Sequence, residues 1–315
     1  MTGNGFDLVV PHRGLTARDS VRLAKAAEQA GWTGVWLQEV LGLDALVTLG
    51  AIAQETSRVR FGTAIVPITT RSVTLLAMAA STLSQLAPGR FHLGVGVSTP
   101  EIVARRHDRP IVEPTVEAAA ACELIRQLLD GDTVEHETLP HLENTRIAAP
   151  DIPPPVLLAA LGLSMTEVAV RHADGLVLNL LTEDEVLQRA RSRPAIGFEV
   201  QLVIRVAVEP SPGELASLKK ELAGYARVPV YRRMLTGLFD LEAINEAPNV
   251  AAAAGRVSDD MVEQLAVVGS PDECRGRLQH LRKQGITPLV RPVGDIERCI
   301  DGLGRRVGGD QDVSR

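Results

Sequence analysis

Short runs of β-branched and other apolar residues alternate along this chain with longer stretches whose apolar positions recur at helical spacing. The runs at 6–10, 34–37, 59–66 and 90–97 read as strands one to four. Between them, 16–30, 44–57 and 72–86 read as helices. Leu23, Ala27 and Ala30 share a face of the first helix, and Leu76, Ala79, Ala80 and Leu83 a face of the third. Thr16 and Asp19 have the spacing of a capping box, and Gly31 follows as a stop. The cadence then breaks: 98–114 is loop-like, 115–129 is helical, and 132–155 is polar and proline-rich enough to be an insertion. Strands resume at 156–160 and 175–178, separated by a short helix from Ser164. A helix from Glu183 leads to a long strand at 200–208. Residues 210–257 are helical but irregular, a second insertion. Ser270-Pro271-Asp272-Glu273 opens a helix with proline at its first position and a capping box. That helix ends at Gly285, and 288–291 makes the eighth strand. The tail from Gly308 is small and polar and is expected to fray.

Eight strand–helix units predict an α/β fold: a single-domain (β/α)8 TIM barrel over residues 1–315, with insertions after strands four and seven. The rival is an open doubly wound sheet, which usually carries a phosphate fingerprint after its first strand. Here Pro11-His12-Arg13-Gly14 occupies that place, and Gly94-x-Gly96 lacks a third glycine and sits on the fourth strand. The barrel is the expectation.

Composition narrows the function classes. Aromatic residues make up 3% of the chain, so the core must be built from Ala, Val, Leu and Ile, which suits parallel strands under alanine-rich helices. The formal net charge is -6, and no Lys/Arg cluster interleaves with aromatics, so a nucleic-acid partner is not expected. Cys122, Cys274 and Cys299 lie far apart, with no metal spacing, so no metal site is expected. Isolated thiols point to a cytoplasmic protein, and no apolar run approaches the ~20 residues that span a membrane.

Barrel active sites lie at the C-terminal ends of the strands. Strand one ends at His12, strand two at Gln38 and Glu39, strand three at Ala64 to Pro67, and strand four at Val97, Ser98 and Thr99, before a loop holding Arg105, Arg106 and His107. Strand five ends at Leu161 and Gly162, strand six at Asn179 and Thr182. Glu39 is either a desolvated acid suited to proton transfer or a salt-bridged, helix-capping carboxylate. His12 is either a donor to substrate or an exposed loop histidine. His107 sits among Arg105, Arg106, Asp108 and Arg109, either a solvated charge run or a loop that clamps an anion. Gly162 precedes Ser164-Met165-Thr166-Glu167, a capping-box pattern, and a glycine before a helix start exposes N–H groups to phosphate. Thr182 also caps a helix, but Glu183, Asp184 and Glu185 fill its first turn and repel a dianion. Plain capping explains both without a ligand.

Several stretches resemble the luciferase-like monooxygenase superfamily. They are Gly62-Thr63-Ala64-Ile65-Val66-Pro67 with Thr70-Arg71, then Leu76-Ala77-Met78-Ala79-Ala80 with Leu83, and Gly89-Arg90-Phe91-x-Leu93-Gly94-Val95-Gly96. Gly34-Val35-Trp36-Leu37-Gln38-Glu39, Leu158-Ala159-Ala160-Leu161-Gly162, the stretch from Ala173 to Thr182, and Val268-Gly269-Ser270-Pro271-Asp272-Glu273 with Arg277 and Leu278 extend the match over nearly the whole chain. The likeness is nearer to the F420-dependent branch that includes methylenetetrahydromethanopterin reductase. It implies a homodimeric barrel binding an isoalloxazine-type ring at its C-terminal mouth, behind a non-prolyl cis peptide at Ala64–Ile65. Carried over, Thr63, Ala64, Ile65, Val97 and Ser98 support the ring, and Ala160, Leu161, Gly162, Asn179, Leu180, Leu181 and Thr182 reach the phosphate side. Glu39 trades a proton, and His12 or His107 orients a small-molecule substrate. Many relatives carry Glu-His at the end of strand two, where this chain has Glu39-Val40, and a tryptophan often seen before the loop histidine is missing. The implied activity is hydride transfer between F420 and a small organic substrate. The alternatives are an FMN-dependent monooxygenase and a non-catalytic cofactor-binding barrel.

Overall fold

All eight expected runs become strands of a closed parallel barrel in the computed structural model, which describes residues 5–11, 14–99, 102–103, 107, 112–137, 141–194 and 197–304. The strands are β1 (Asp7–Val10), β2 (Gly34–Leu37), β3 (Arg60–Thr63) with a short continuation β4 (Val66–Pro67), and β5 (Phe91–Gly96). After them come β8 (Val156–Ala159), β9 (Gly175–Asn179), β10 (Glu199–Val208) and β12 (Thr287–Pro292). Each pairs in parallel with the next, β4 pairs β5, and β12 closes the ring onto β1. The expected third strand is thus two strands, interrupted at Ala64 and Ile65. The fraying expected from Gly308 lies outside the described residues.

Helices α1 (Ala17–Gln29), α2 (Ala45–Glu55), α3 (Val73–Leu86), α4 (Pro114–Leu129), α5 (Leu163–His172) and α6 (Glu183–Arg191) follow the first six strands. The expected capping boxes at Thr16/Asp19 and Ser270/Glu273 form, each with both reciprocal bonds. Caps of this kind stabilise a helix by about 1 kcal/mol.

Two stretches carry more order than the sequence pattern showed. Within 132–155, β6 (Val134–His136) and β7 (Leu142–Thr145) pair as an antiparallel hairpin. Beyond β10 come α7 (Pro212–Ala226), α8 (Pro229–Arg232), α9 (Leu241–Glu246), α10 (Val250–Ala254) and α11 (Asp259–Leu265). The strand β11 (Ala266–Gly269) then pairs in parallel with Arg205–Val208, so β10 outruns its barrel neighbour β9 and carries an extra strand there. Four residues, Ala-Val-Val-Gly, are too short a run to separate from a buried helix end by periodicity. Helices α12 (Pro271–Lys283) and α13 (Ile296–Leu303) complete the outer layer.

Side chains alternate across the strands. Outward residues such as Leu8, Val35, Phe61, Leu93 and Leu176 join the main core under the helices. Inward residues Val9, Trp36, Ala64, Leu157, Val177, Val203 and Leu289 form a separate cluster inside the barrel. Below them the N-terminal end is closed by paired charge. Asp7 accepts from Trp36 Nε1 at 2.8 Å, Arg60 Nε at 2.9 Å and Thr33 Oγ1 at 2.7 Å. Glu199 meets His92 Nε2 at 3.1 Å and accepts from Gln201 Nε2 at 2.9 Å. Pairing is what allows such groups to be buried at all. A third cluster, with Leu180, Leu218, Leu222, Leu235, Phe239 and Val293, packs the helices after β10 over the C-terminal ends of β9, β10 and β12.

Candidate functional site

Moving up the barrel, the inward positions change character, and differently on its two sides. On β3, β5 and β8 the upper inward positions are Ala64, Gly96 and Ala159, small and apolar. On β9, β10 and β12 they are Asn179, Arg205 and Arg291, each two residues beyond Val177, Val203 and Leu289 and therefore on the same face. The C-terminal mouth has an apolar half and a cationic half.

The apolar half is built around the Ala64–Ile65 bond, which is cis as the family resemblance implied. Neighbouring strand ends hold this turn: Ala64 N–H donates to Leu37 O at 2.8 Å, and Glu39 N–H to Ile65 O at 3.2 Å. The Ile65 side chain lies over β5. A Cβ at Gly96 would sit 3.2 Å from Ile65 Cδ1 and 3.0 Å from the Ala159 Cβ. A Cβ at Gly94 would sit 1.9 Å from the Thr63 carbonyl oxygen, so the two backbones approach as only glycine permits. Thr63 itself is buried, donating its hydroxyl to Gly94 O at 2.7 Å and accepting from Gly94 N–H at 2.9 Å. It ties β3 to β5. Val97 and Ser98, both half-buried, border the same side, and Ser98 has a φ of 63°.

The next turn is open at Gly162, the N-cap of α5. No side chain caps this helix, and a Cβ at Gly162 would meet nothing within 4 Å. The expected box of Ser164 and Glu167 does not form, because the helix starts at Leu163 and places Ser164 inside its first turn. Arg189 of α6, 3% exposed, donates from Nη2 to Leu161 O at 2.8 Å and brings a guanidinium to this turn. Thr182, in contrast, has its N–H and hydroxyl on Glu185, at 2.9 and 3.0 Å. The start of α5 thus lacks the side-chain cap that the start of α6 has. Leu161 and Gly162 are half-exposed there. The side chains of Ala160, Leu180 and Leu181 are buried in the cores, so these positions can meet a ligand only through backbone.

Glu39 is committed elsewhere. Its carboxylate takes both Nη atoms of Arg71, with Nη2 at 2.9 Å, and accepts from Ala45 N–H at 3.0 Å. Arg71 Nη2 also reaches Asp44 at 2.6 Å. The bond to Glu39 raises the Arg71 pKa above its ordinary value despite partial burial. Glu39 thus makes the salt-bridged, helix-capping contacts. His107 is exposed, its N–H donating to Val103 O at 3.1 Å. His12, Arg105, Arg106, Asp108 and Arg109 lie outside the described residues.

The cationic half was not anticipated. Arg205 is 1% exposed. It donates from Nη1 to Asn179 Oδ1 and from Nε to Glu221 Oε1 at 3.0 Å, with its guanidinium 5.1 Å from the Tyr225 ring. Arg291, its partner in the β10–β12 register, reaches Glu221 at 2.7 and 2.6 Å. Burial alone would raise the Glu221 carboxyl, but the two guanidiniums beside it hold it below the usual range. Tyr231 interacts with Asn179 and packs edge-on against Tyr225 at 4.8 Å. The signal available in the sequence was parity: Arg205 and Arg291 share the inward face of Val203 and Leu289. Among the described residues no group of three or more His, Cys, Asp or Glu could hold a metal ion.

Comparison with known proteins places this mouth in a family context. The model of the family described as luciferase-like monooxygenase matches residues 5–288. A Mycobacterium tuberculosis protein named as a coenzyme F420-dependent oxidoreductase is 26% identical over 90% of this chain and 93% of its own. The fold matches the coenzyme F420-dependent tetrahydromethanopterin reductase of Methanopyrus kandleri with a TM-score of 0.79 at 21% identity, over 95% of this chain and 97% of that one. It also matches the oxygenating constituent of 3,6-diketocamphane monooxygenase of Pseudomonas putida, solved with FMN, with a TM-score of 0.67 at 17% identity, over 96% and 97% of the two chains.

Proposed function

The chain belongs to the luciferase-like monooxygenase family, and from that premise we propose that it is an F420-dependent oxidoreductase acting on a small organic molecule. The observation that carries this reading is the divided mouth, with a small, apolar floor beside an uncapped helix start. When bound, the deazaflavin supplies a ring carbon that gives or accepts a hydride. The residues fit such a group. Ile65, Gly96 and Ala159 offer a flat floor for a ring, bordered by Val97 and Ser98. The N–H groups after Gly162, with Arg189 behind Leu161, suit the phosphate. Glu39 and Arg71 fix the end of β2 against the cis turn, so Glu39 serves here as a positioning residue for that turn. His12 and His107 remain the candidates for orienting the substrate.

An FMN-dependent monooxygenase is the second reading, supported by the likeness to the FMN-bound fold. Fluorescence titration of the purified protein with F420 and with FMN separates the two. Micromolar binding of F420 with turnover independent of oxygen is expected. Binding of FMN alone, with oxygen consumption, rejects the proposal, and binding of neither favours a non-catalytic barrel.

The protein is further proposed to form a homodimer through α2 and α3. These neighbouring helices expose Val47, Leu75 and Met78 at 75%, 50% and 50%, an apolar patch suited to a second copy. No helix among the described residues is long and apolar enough to cross a membrane. Its three buried free thiols suit a reducing compartment such as the cytoplasm.

A further inference from the structure

We propose that Arg205 and Arg291 seat an anionic group, a carboxylate or a phosphate, carried by the substrate; this deepens the reading of the mouth as an oxidoreductase site and rests on it. Two guanidiniums stand side by side on adjacent strands, at matched register, with one carboxylate, Glu221, between them. Among the described residues the cluster therefore keeps one positive charge uncompensated, with Arg205 1% and the Arg291 side chain 15% exposed. A buried charge without a counter-charge is costly, so this arrangement is complete only when an anion joins it.

The unused donors have the right disposition. Arg205 Nη2 is buried and has no hydrogen-bond partner, whereas Nε and Nη1 are engaged by Glu221 and Asn179. Among the described residues, Arg291 hydrogen-bonds through Nη1 alone, and its side chain is 15% exposed, so it is the one that meets solvent. The Tyr225 ring covers a face of the Arg205 guanidinium, and its enclosed Nη2 is left as the one unpaired donor beside the partly exposed Arg291. Groups that present two neighbouring oxygens match guanidinium edges, which is why arginine recognises both carboxylate and phosphate. The seat lies across the barrel mouth from the Ile65–Ala159 floor. A substrate anchored there by its anionic end presents its other end to a ring lying on that floor.

Inorganic phosphate is the probe, added at constant ionic strength to the full chain. Binding is read from the concentration dependence of the thermal midpoint. The same preparation is first titrated with F420 by fluorescence, which reports on the cofactor reading independently. Phosphate is then tested on free and F420-saturated protein, since saturation fills the Gly162 turn. Saturable stabilisation is expected in both. Arg291→Gln is expected to weaken phosphate binding about tenfold or more, the scale of one lost charge-assisted hydrogen bond. Glu221→Gln removes the competing carboxylate and is expected to tighten binding several-fold, a gain that a damaged fold does not produce. Equal phosphate binding by wild type and both variants overturns the proposal. So does loss of the phosphate effect on F420 saturation together with weaker F420 binding by Arg291→Gln, which assigns the arginines to the cofactor's own phosphate. Failure of F420 to bind, with phosphate following the variants as stated, removes the cofactor reading and leaves the anion seat standing.

Discussion

Glu39 shows what a residue's sequence neighbourhood conceals. Flanked by Leu37 and Val40, it has the look of a desolvated acid. Its partner Arg71 lies 32 positions away, across the turn that ends the third strand. No local pattern encodes that pairing, although Thr70-Arg71 was visible as part of the family resemblance. Glu39→Gln is expected to lower unfolding free energy by about 1–3 kcal/mol, because it leaves Arg71 under-paired in a half-buried site. Denaturant midpoints check this, and Arg71→Ala combined with it should cost less than the sum of the two. Unchanged stability with lost turnover would return Glu39 to the role of proton carrier. Glu221 makes a second residue-level case. Burial opposes its ionised form, yet Arg205 and Arg291 depress its pKa in the folded state. Its contribution is therefore complete above the usual glutamate pKa of about 4.3 and is lost as pH falls through the lower, folded value. Stability measured between pH 6 and pH 3 should drop less steeply in Glu221→Gln than in wild type.

Elements with strong local signals were legible, and elements defined by their partners were not. The boxes at Thr16/Asp19 and Ser270/Glu273 involve residues three apart, so the sequence displays them whole. β11 exists because β10 is long enough to offer it an edge, and the β6–β7 hairpin because two polar segments meet. α5 is instructive in the other direction. Its sequence contains Ser164 and Glu167 at box spacing, but the chain enters the helix two residues sooner, through Gly162, and leaves its first N–H groups bare. Gly162 has a φ of -92° and open space around it, so a side chain is tolerated there. Gly162→Asp is expected to cap α5, raising stability by a few tenths of a kcal/mol, while placing a carboxylate where the phosphate is proposed to bind. Thermal melts and F420 titration on the same variant should move in opposite directions. A variant that binds F420 as wild type does would clear Gly162 of that role.

At the scale of the molecule, the barrel is closed by paired charge at one end and divided at the other. Trp36, Asp7, Arg60, His92 and Glu199 fill the N-terminal end, leaving the C-terminal mouth as the functional face. The sequence revealed the eight-strand plan and the apolar floor, whose glycines and alanines sit in contiguous motifs. It did not reveal the cationic half, which draws residues from β9, β10, β12 and α7 and exists only once 210–257 folds back over the mouth. The outer surface makes its own prediction. Val47→Glu with Met78→Glu should convert a dimer to a monomer by light scattering without lowering the thermal midpoint of the barrel below that of a dissociated wild type. A monomeric wild type contradicts the proposed interface. The proposed function depends on a flat ring resting on the floor made by Ile65, Gly96 and Ala159. The most direct measurement is F420 titration, followed by fluorescence, of wild type against Ala159→Trp, whose indole fills that floor. Saturable micromolar binding is expected for wild type, and at least roughly tenfold weaker binding for a folded Ala159→Trp, the effect of displacing a stacked ring. Equal affinity in the two proteins would contradict the proposed function.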